Sequence, residues 1–447
     1  MDSLADKDRR HLWHPFTQMR DWMAEEPVII ERGQGARLWD TAGREYLDAN
    51  ASIWTNIHGH NHPRINAAIR AQLEKVAHSS FLGLSNVPAI ELAEKLVSIA
   101  PRASTVAAVY DRRQPPEEDR SAVIDRRYSP LSRVFYSDDG STAVEVALKM
   151  ALQYWIHRGQ SQRWRFVAFA DAYHGDTIGA VSLGGIDLFH ATYKPLLFEV
   201  DRVADVAGLR KLMRECGGNI AAVVIEPLIQ GAAGMKLWPR GLLRDVAWLC
   251  DEHGTLLIAD EVMTGFGRTG TMFACQQEGI TPDFLCLAKG LTGGYLPLAA
   301  TLTTEEIFMA FLGHYEERKT FFHGHSFTGN PLGCAAALAS LAIFEEEDTL
   351  TRLQPKIALL RDELQAFCKL KPVVEARQCG FIGAVEVGPY PWEAKAGIRV
   401  CQRARELGVL TRPIGNVIVI MPPLCVTEDE LRKICEVLRQ AVKEVLE

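Results

Sequence analysis

Short apolar runs alternate with amphipathic stretches through the middle of the chain. RVFYS (133–137) reads as a strand, followed by a helix over STAVEVALKMALQYW (141–155). In that helix Val144, Ala147, Leu148, Ala151, Leu152 and Trp155 recur at helical spacing. RFVAFA (165–170), AAVVIEP (221–227), TLLIADE (255–261) and DFLCLA (283–288) read as further strands, with GLLRDVAWLCDEHG (241–254) as a joining helix. Strands that are apolar throughout and separated by helices predict a largely parallel sheet covered on both faces, an α/β fold. From about residue 340 the texture changes. IFEEEDTLTRLQPKIALLRDELQAFCKL is helical and charged, VVEARQCGFIGAVEV and NVIVIMPPL read as strands of a smaller α+β unit, and LRKICEVLRQAVKEVLE is a closing helix.

A chain of 447 residues suits two or three packed units. Its net charge of −7 supplies no basic field for nucleic acid or anionic lipid. No apolar run approaches a membrane span, and residues 1–10 are too charged for a secretory signal. The cysteines begin at Cys216 and form no C-x-x-C pair, which suits reduced thiols in a cytoplasmic protein. Residues 110–130, proline-containing and dense in charge, read as a surface loop.

Candidate chemistry centres on Asp260, which ends an apolar run, and on Lys289, a lone lysine among small residues. The pair suits pyridoxal phosphate: the lysine holds the aldehyde, and the acid keeps the pyridine nitrogen protonated. The phosphate needs backbone N–H groups at a positive dipole end. Gly140 and Ser141 offer them where a strand gives way to a helix, with Ser141 also read as the helix cap. Tyr173 is flat enough to stack on the ring, and Val262, two residues past Asp260, is placed to press on the other face. His58, His60 and His62 invite a metal reading, but they lack a ligand set of recognised spacing; hydrogen bonding within a turn is expected, and no metal.

LLIADEVMTGFGRTG (256–270) and DFLCLAKGLTGG (283–294) resemble the class III aminotransferases, a branch of the fold type I pyridoxal-phosphate enzymes. The resemblance implies a large domain (61–340) with a mostly parallel seven-stranded sheet between helices. It further implies a small α+β domain (341–447), joined by an N-terminal segment (1–60), and a catalytic set of Lys289, Asp260 and Tyr173. It implies a homodimer with shared active sites, in which His325 and Ser326 reach the partner's cofactor phosphate and Gly324 lies near the substrate. HLWHPFTQM (11–19), SIWTNIHGHNHP (52–63), YHGDTIGAVS (173–182) and TRPIG (411–415) narrow the likeness. They resemble the biotin-pathway aminotransferases that convert 8-amino-7-oxononanoate to 7,8-diaminononanoate. There Arg412 is implied to clamp the substrate carboxylate, and Phe16, Ile53 and Trp54, with Tyr173 and Lys289, to line the substrate site. Phe16, Ile53 and Val419 stand where the S-adenosylmethionine-using pattern carries aromatic residues (tyrosine, tryptophan and tyrosine), which leaves S-adenosylmethionine or lysine as donor. The alternatives are an ornithine, acetylornithine or 4-aminobutyrate aminotransferase, or a non-catalytic ligand sensor on the same fold.

Overall fold

Seven strands make the central sheet of the structure, a computed structural model that describes residues 2–102 and 129–447. They are β1 (Leu131–Ser137), β2 (Arg165–Phe169), β3 (Asp201–Val203), β4 (Ile220–Ile225), β5 (Leu256–Asp260), β6 (Phe284–Leu287) and β7 (Ala299–Thr304). Their order is β1-β7-β6-β5-β4-β2-β3. All neighbouring pairs are parallel except those of β7, which runs against both β6 and β1. Every residue of β4, β5 and β6 is buried. Successive side chains divide between two cores: Val223, Ile225, Leu257 and Leu285 on one face, Val224, Leu256, Ile258 and Phe284 on the other. The second core is capped by α1 (Gly140–His157) through Val144, Leu148, Ala151 and Trp155.

Two strands escape the hydrophobic pattern. β3 is too short to stand out, and β7 (AATLTT) looks polar. Its buried threonines are satisfied internally: Thr301 Oγ1 donates to Ala143 O (2.8 Å) and Thr303 Oγ1 to Asp283 O (3.0 Å). The charged stretch from 343 is two helices, the end of Pro331–Glu346 and then Thr349–Phe367. Asp348 between them takes a left-handed conformation (φ 48°), which breaks the helical path. The expected surface loop at 110–130 falls, but for its last two residues, outside the described residues. Among the described residues no helix is long and apolar enough to cross a membrane.

The two ends of the chain meet. Ile30–Gln34, Arg37–Asp40 and Glu45–Asp48 form an antiparallel sheet, and Val409–Leu410 adds to it parallel to Glu45–Asp48. A second sheet holds Val373–Cys379, Ile382–Val387, Val417–Ile420 and Pro413–Ile414. Met421 N–H donates to Ala49 O and Leu424 N–H to Ile57 O, both at 2.8 Å, so the segment around Trp54 is pinned to the last strand.

Candidate active site

Open parallel sheets bind ligands at the carboxyl ends of their strands. Ser137 ends β1, Glu226 follows β4, Asp260 ends β5, and Lys289 stands two residues past β6. The topology thus gathers along one edge residues that lie far apart in sequence.

At the β1 end the chain turns directly into α1. Asp139, not Ser141, caps that helix: its carboxylate accepts from Thr142 N–H (2.9 Å), and Thr142 Oγ1 accepts from Asp139 N–H (3.0 Å). The helix begins one residue earlier than the sequence pattern suggests, so Ser141 is its second residue. Ser141 Oγ accepts instead from Thr177 N–H (2.9 Å). The first-turn N–H groups of Gly140 and Ser141 have no carbonyl a turn earlier in the helix to bond and sit at its positive end. Gly140 is required by contact: a Cβ there would lie 2.4 Å from Val262 Cγ1. Gly140→Ala is expected to weaken cofactor binding about tenfold, an overpacking effect of roughly 1–3 kcal/mol. Absorbance titration measures it, and an unchanged Kd would refute the reading.

Asp260 is buried and engaged on both oxygens. Oδ2 lies 2.7 Å from His174 Nδ1, and Oδ1 accepts from Val262 N–H (3.0 Å). Burial disfavours charge on His174, yet the bond to Asp260 and the charges of Asp260 and Glu226 outweigh it and raise its pKa. Glu226 accepts from Gly231 N–H (3.0 Å) and Tyr173 N–H (3.3 Å), and burial pushes it up to about 7 against the influence of His174. The adjacent acid Glu261 has a structural task. Its carboxylate accepts from Ala274 N–H (2.6 Å), Cys275 N–H (2.8 Å) and Thr264 Oγ1 (3.1 Å), which folds the loop after β5 back on itself.

Lys289 is half-buried at a left-handed φ of 37°. Packing around its amine draws the pKa down to about 8, although Asp260 and Glu226 pull the other way. Only the neutral amine attacks an aldehyde. Capture of the cofactor by apoprotein should therefore quicken about tenfold per pH unit below pH 8 and level off above it. Stopped-flow absorbance follows this directly; a rate still climbing steeply at pH 10 would count against the depressed value.

Trp54 covers this amine, with Lys289 Nζ 4.6 Å from its ring centroid. Ile53 beside it is exposed. Phe16 and Arg412, 396 residues apart, are brought together: the guanidinium donates to Phe16 O. Phe16 also meets Phe189 edge-on (5.5 Å), and Phe189 meets Tyr173 (6.2 Å). Tyr173 OH donates to Asp176 Oδ2 (2.7 Å). His325 Nδ1 lies 2.7 Å from Asp138 Oδ2, while Gly324 and Ser326 are exposed. The three early histidines part company: His58 meets Ser340 (3.1 Å), His60 meets Asp48 (3.0 Å) and His62 approaches Glu347 (3.7 Å). His174, Glu226 and Arg268 were given no role by the sequence. Glu226 repeats the signal that exposed Asp260, an acid at the end of a wholly apolar strand.

Pyridoxal phosphate fits the residues present. Ser137 Oγ and His174 Nε2 are buried without a hydrogen-bond partner. Free helix N–H groups suit the phosphate, and a lysine with a depressed pKa shares the pocket with an anchored carboxylate. The sequence model of the class-III aminotransferases matches residues 19–110 and 114–442. The chain belongs to that family, and it is a pyridoxal-phosphate-dependent transaminase.

Particular relatives narrow the class. The adenosylmethionine-8-amino-7-oxononanoate aminotransferase of Geobacter sulfurreducens is 48% identical, over 99% of this chain and 98% of its own. That of Nitratidesulfovibrio vulgaris is 50% identical, over 99% and 82%. The crystal structure of the Methanocaldococcus jannaschii enzyme of the same name superimposes with a TM-score of 0.92 at 43% identity, covering 99% of both chains. An omega transaminase from Pseudomonas jessenii in complex with PMP gives 0.88 at 30% identity, over 99% and 98%.

Proposed function

We propose that this transaminase aminates 8-amino-7-oxononanoate to 7,8-diaminononanoate, a step of biotin biosynthesis. One observation carries the reading beyond the names of the relatives. Arg412 is in no ion pair among the described residues and is linked through Phe16 and Phe189 to Tyr173. A guanidinium without an ionic partner, set beside an aromatic wall, suits an apolar chain with a carboxylate at one end and a ketone further along.

When bound, the cofactor supplies an aldehyde that takes up amines and a ring that withdraws electrons. Lys289 anchors it. Lys289 Nζ, its pKa drawn down to about 8, would be the base that takes the proton from the donor's amine-bearing carbon and returns one to C7 of the acceptor. Asp260, fixed by His174 and the Val262 N–H, would keep a proton on the ring nitrogen. Tyr173 and Val262 would hold the cofactor ring, and Trp54, over Lys289 Nζ, would keep water from the amine.

The donor in this reading is S-adenosylmethionine, the compound in the relatives' name. Lysine is the second reading: Phe16 offers no phenolic hydroxyl, and Ile53 is aliphatic. The working unit is a homodimer in the cytoplasm, with residues 61–340 binding the cofactor and 1–60 joining 341–447. Exposed Leu82, Leu84, Val87 and Ile90 lie on the segment whose Asn86 donates to Gly329 O (2.9 Å), two residues past exposed Phe327. Such apolar exposure suits a partner subunit, to whose phosphate site His325 and Ser326 would extend, with Gly324 near its substrate.

Purified protein given the oxononanoate with either donor should form the diamine. No diamine from either donor, with turnover of ornithine or 4-aminobutyrate instead, would overturn the assignment. Arg412→Leu should raise KM for the oxononanoate about tenfold or more, the loss of a charged hydrogen bond of roughly 1.5–3 kcal/mol.

A further inference from the structure

Ala51, Ser52, Ile53 and Trp54 all have positive φ, at 43°, 48°, 62° and 69°. The chain thus makes a left-handed turn from four residues that disfavour one, and contacts from outside must hold it. Asp48, almost wholly buried, accepts three donors from the turn: Asn50 N–H (3.2 Å), Ser52 N–H (3.1 Å) and Ser52 Oγ–H (2.9 Å). His60 Nε2 lies 3.0 Å from the same carboxylate, and its Nδ1 is 3.0 Å from Asn56 Nδ2. The far end is gripped by the fully buried Arg268, which donates to Asn56 O (2.8 Å) and Pro422 O (2.6 Å). What the turn presents is Trp54, its Nε1 donating to Asn50 Oδ1 (2.9 Å) and its ring over Lys289 Nζ.

We propose that Asp48 is a positioning residue for the transamination site, holding the left-handed turn so that Trp54 covers Lys289. A carboxylate suits the task because two oxygens accept from backbone, hydroxyl and imidazole together. Asparagine keeps the shape but only one accepting oxygen. Asp48 acts through Trp54 and does not touch the reacting atoms. The inference rests on the assignment of Lys289 above, and the two fail separately.

A double-mutant cycle on the holoenzyme tests it, with cofactor content read by absorbance alongside kcat and KM. Asp48→Asn and Trp54→Ala should each lower kcat/KM about tenfold, and the double variant should be no worse than Trp54→Ala alone. Losses that multiply to about a hundredfold would mean that Asp48 acts independently of Trp54, which overturns the proposal. An Asp48→Asn enzyme with unaltered kcat/KM overturns it too. Should Asp48→Asn fail to fold, Ser52→Ala removes a single exposed hydroxyl donor. Its severalfold loss should vanish in the Trp54→Ala background, and persistence there is the contrary result. Absence of a cofactor adduct at Lys289 would sink the site assignment instead.

Discussion

Lys289→Ala should lose turnover by about 10⁴-fold or more, because in the proposed mechanism one side chain supplies both the covalent anchor and the proton carrier. The variant is expected to fold. Burial already disfavours the Lys289 ammonium, drawing its pKa to about 8, so removing the amine relieves a desolvated charge. Small amines added to the medium should restore part of the proton transfer without restoring the anchor. Borohydride reduction of the native holoenzyme, followed by peptide mass mapping, should find the cofactor on Lys289. Robust turnover by the alanine variant without added amine, or an adduct elsewhere, would end the assignment.

Asp260 carries the second large effect, and two substitutions divide it. Asp260→Asn keeps an acceptor for His174 but removes the charge proposed to hold a proton on the ring nitrogen. We expect kcat to fall about 10²–10³-fold, the scale of losing one preorganised electrostatic contact, with the fold intact. Asp260→Ala also strips His174 of its buried partner, which should cost about 3–5 kcal/mol of stability and lower the urea midpoint. The pH dependence separates these further. The pKa of His174 is raised on folding, so the pair's contribution is fully present below the imidazole's unfolded value of about 6.5. It is lost as pH rises through the higher folded value. Wild-type stability should decline along that limb, and Asp260→Asn should flatten it. Parallel curves for the two proteins would show that the pair does not stabilise the fold.

How much of this was legible beforehand follows from the range of each interaction. Strands β2, β4, β5 and β6 announce themselves because burial on both faces demands nearly unbroken apolar runs, and β1, partly exposed, shows through Val134, Phe135 and Tyr136. Asp260 and Lys289 announce themselves because an acid or a lone lysine beside such a run has few structural uses. The start of α1 was misplaced by one residue, since neighbouring Asp139 and Ser141 are equally good caps and only the backbone path chooses between them. β7 was missed because its threonines are polar by type and buried by context.

The amino-acid sequence alone therefore determined the sheet-and-helix architecture and singled out Lys289 and Asp260 as the proposed cofactor lysine and its acid, all consequences of local composition and period. Only the tertiary structure decided which distant groups meet. His174 reaches Asp260 across 86 positions, Arg412 reaches Phe16 across 396, and Trp54 is carried over Lys289 by a turn that its own residues disfavour. The reason is physical: strand crossovers and the meeting of the chain ends set these distances, and no periodicity in a linear pattern encodes them.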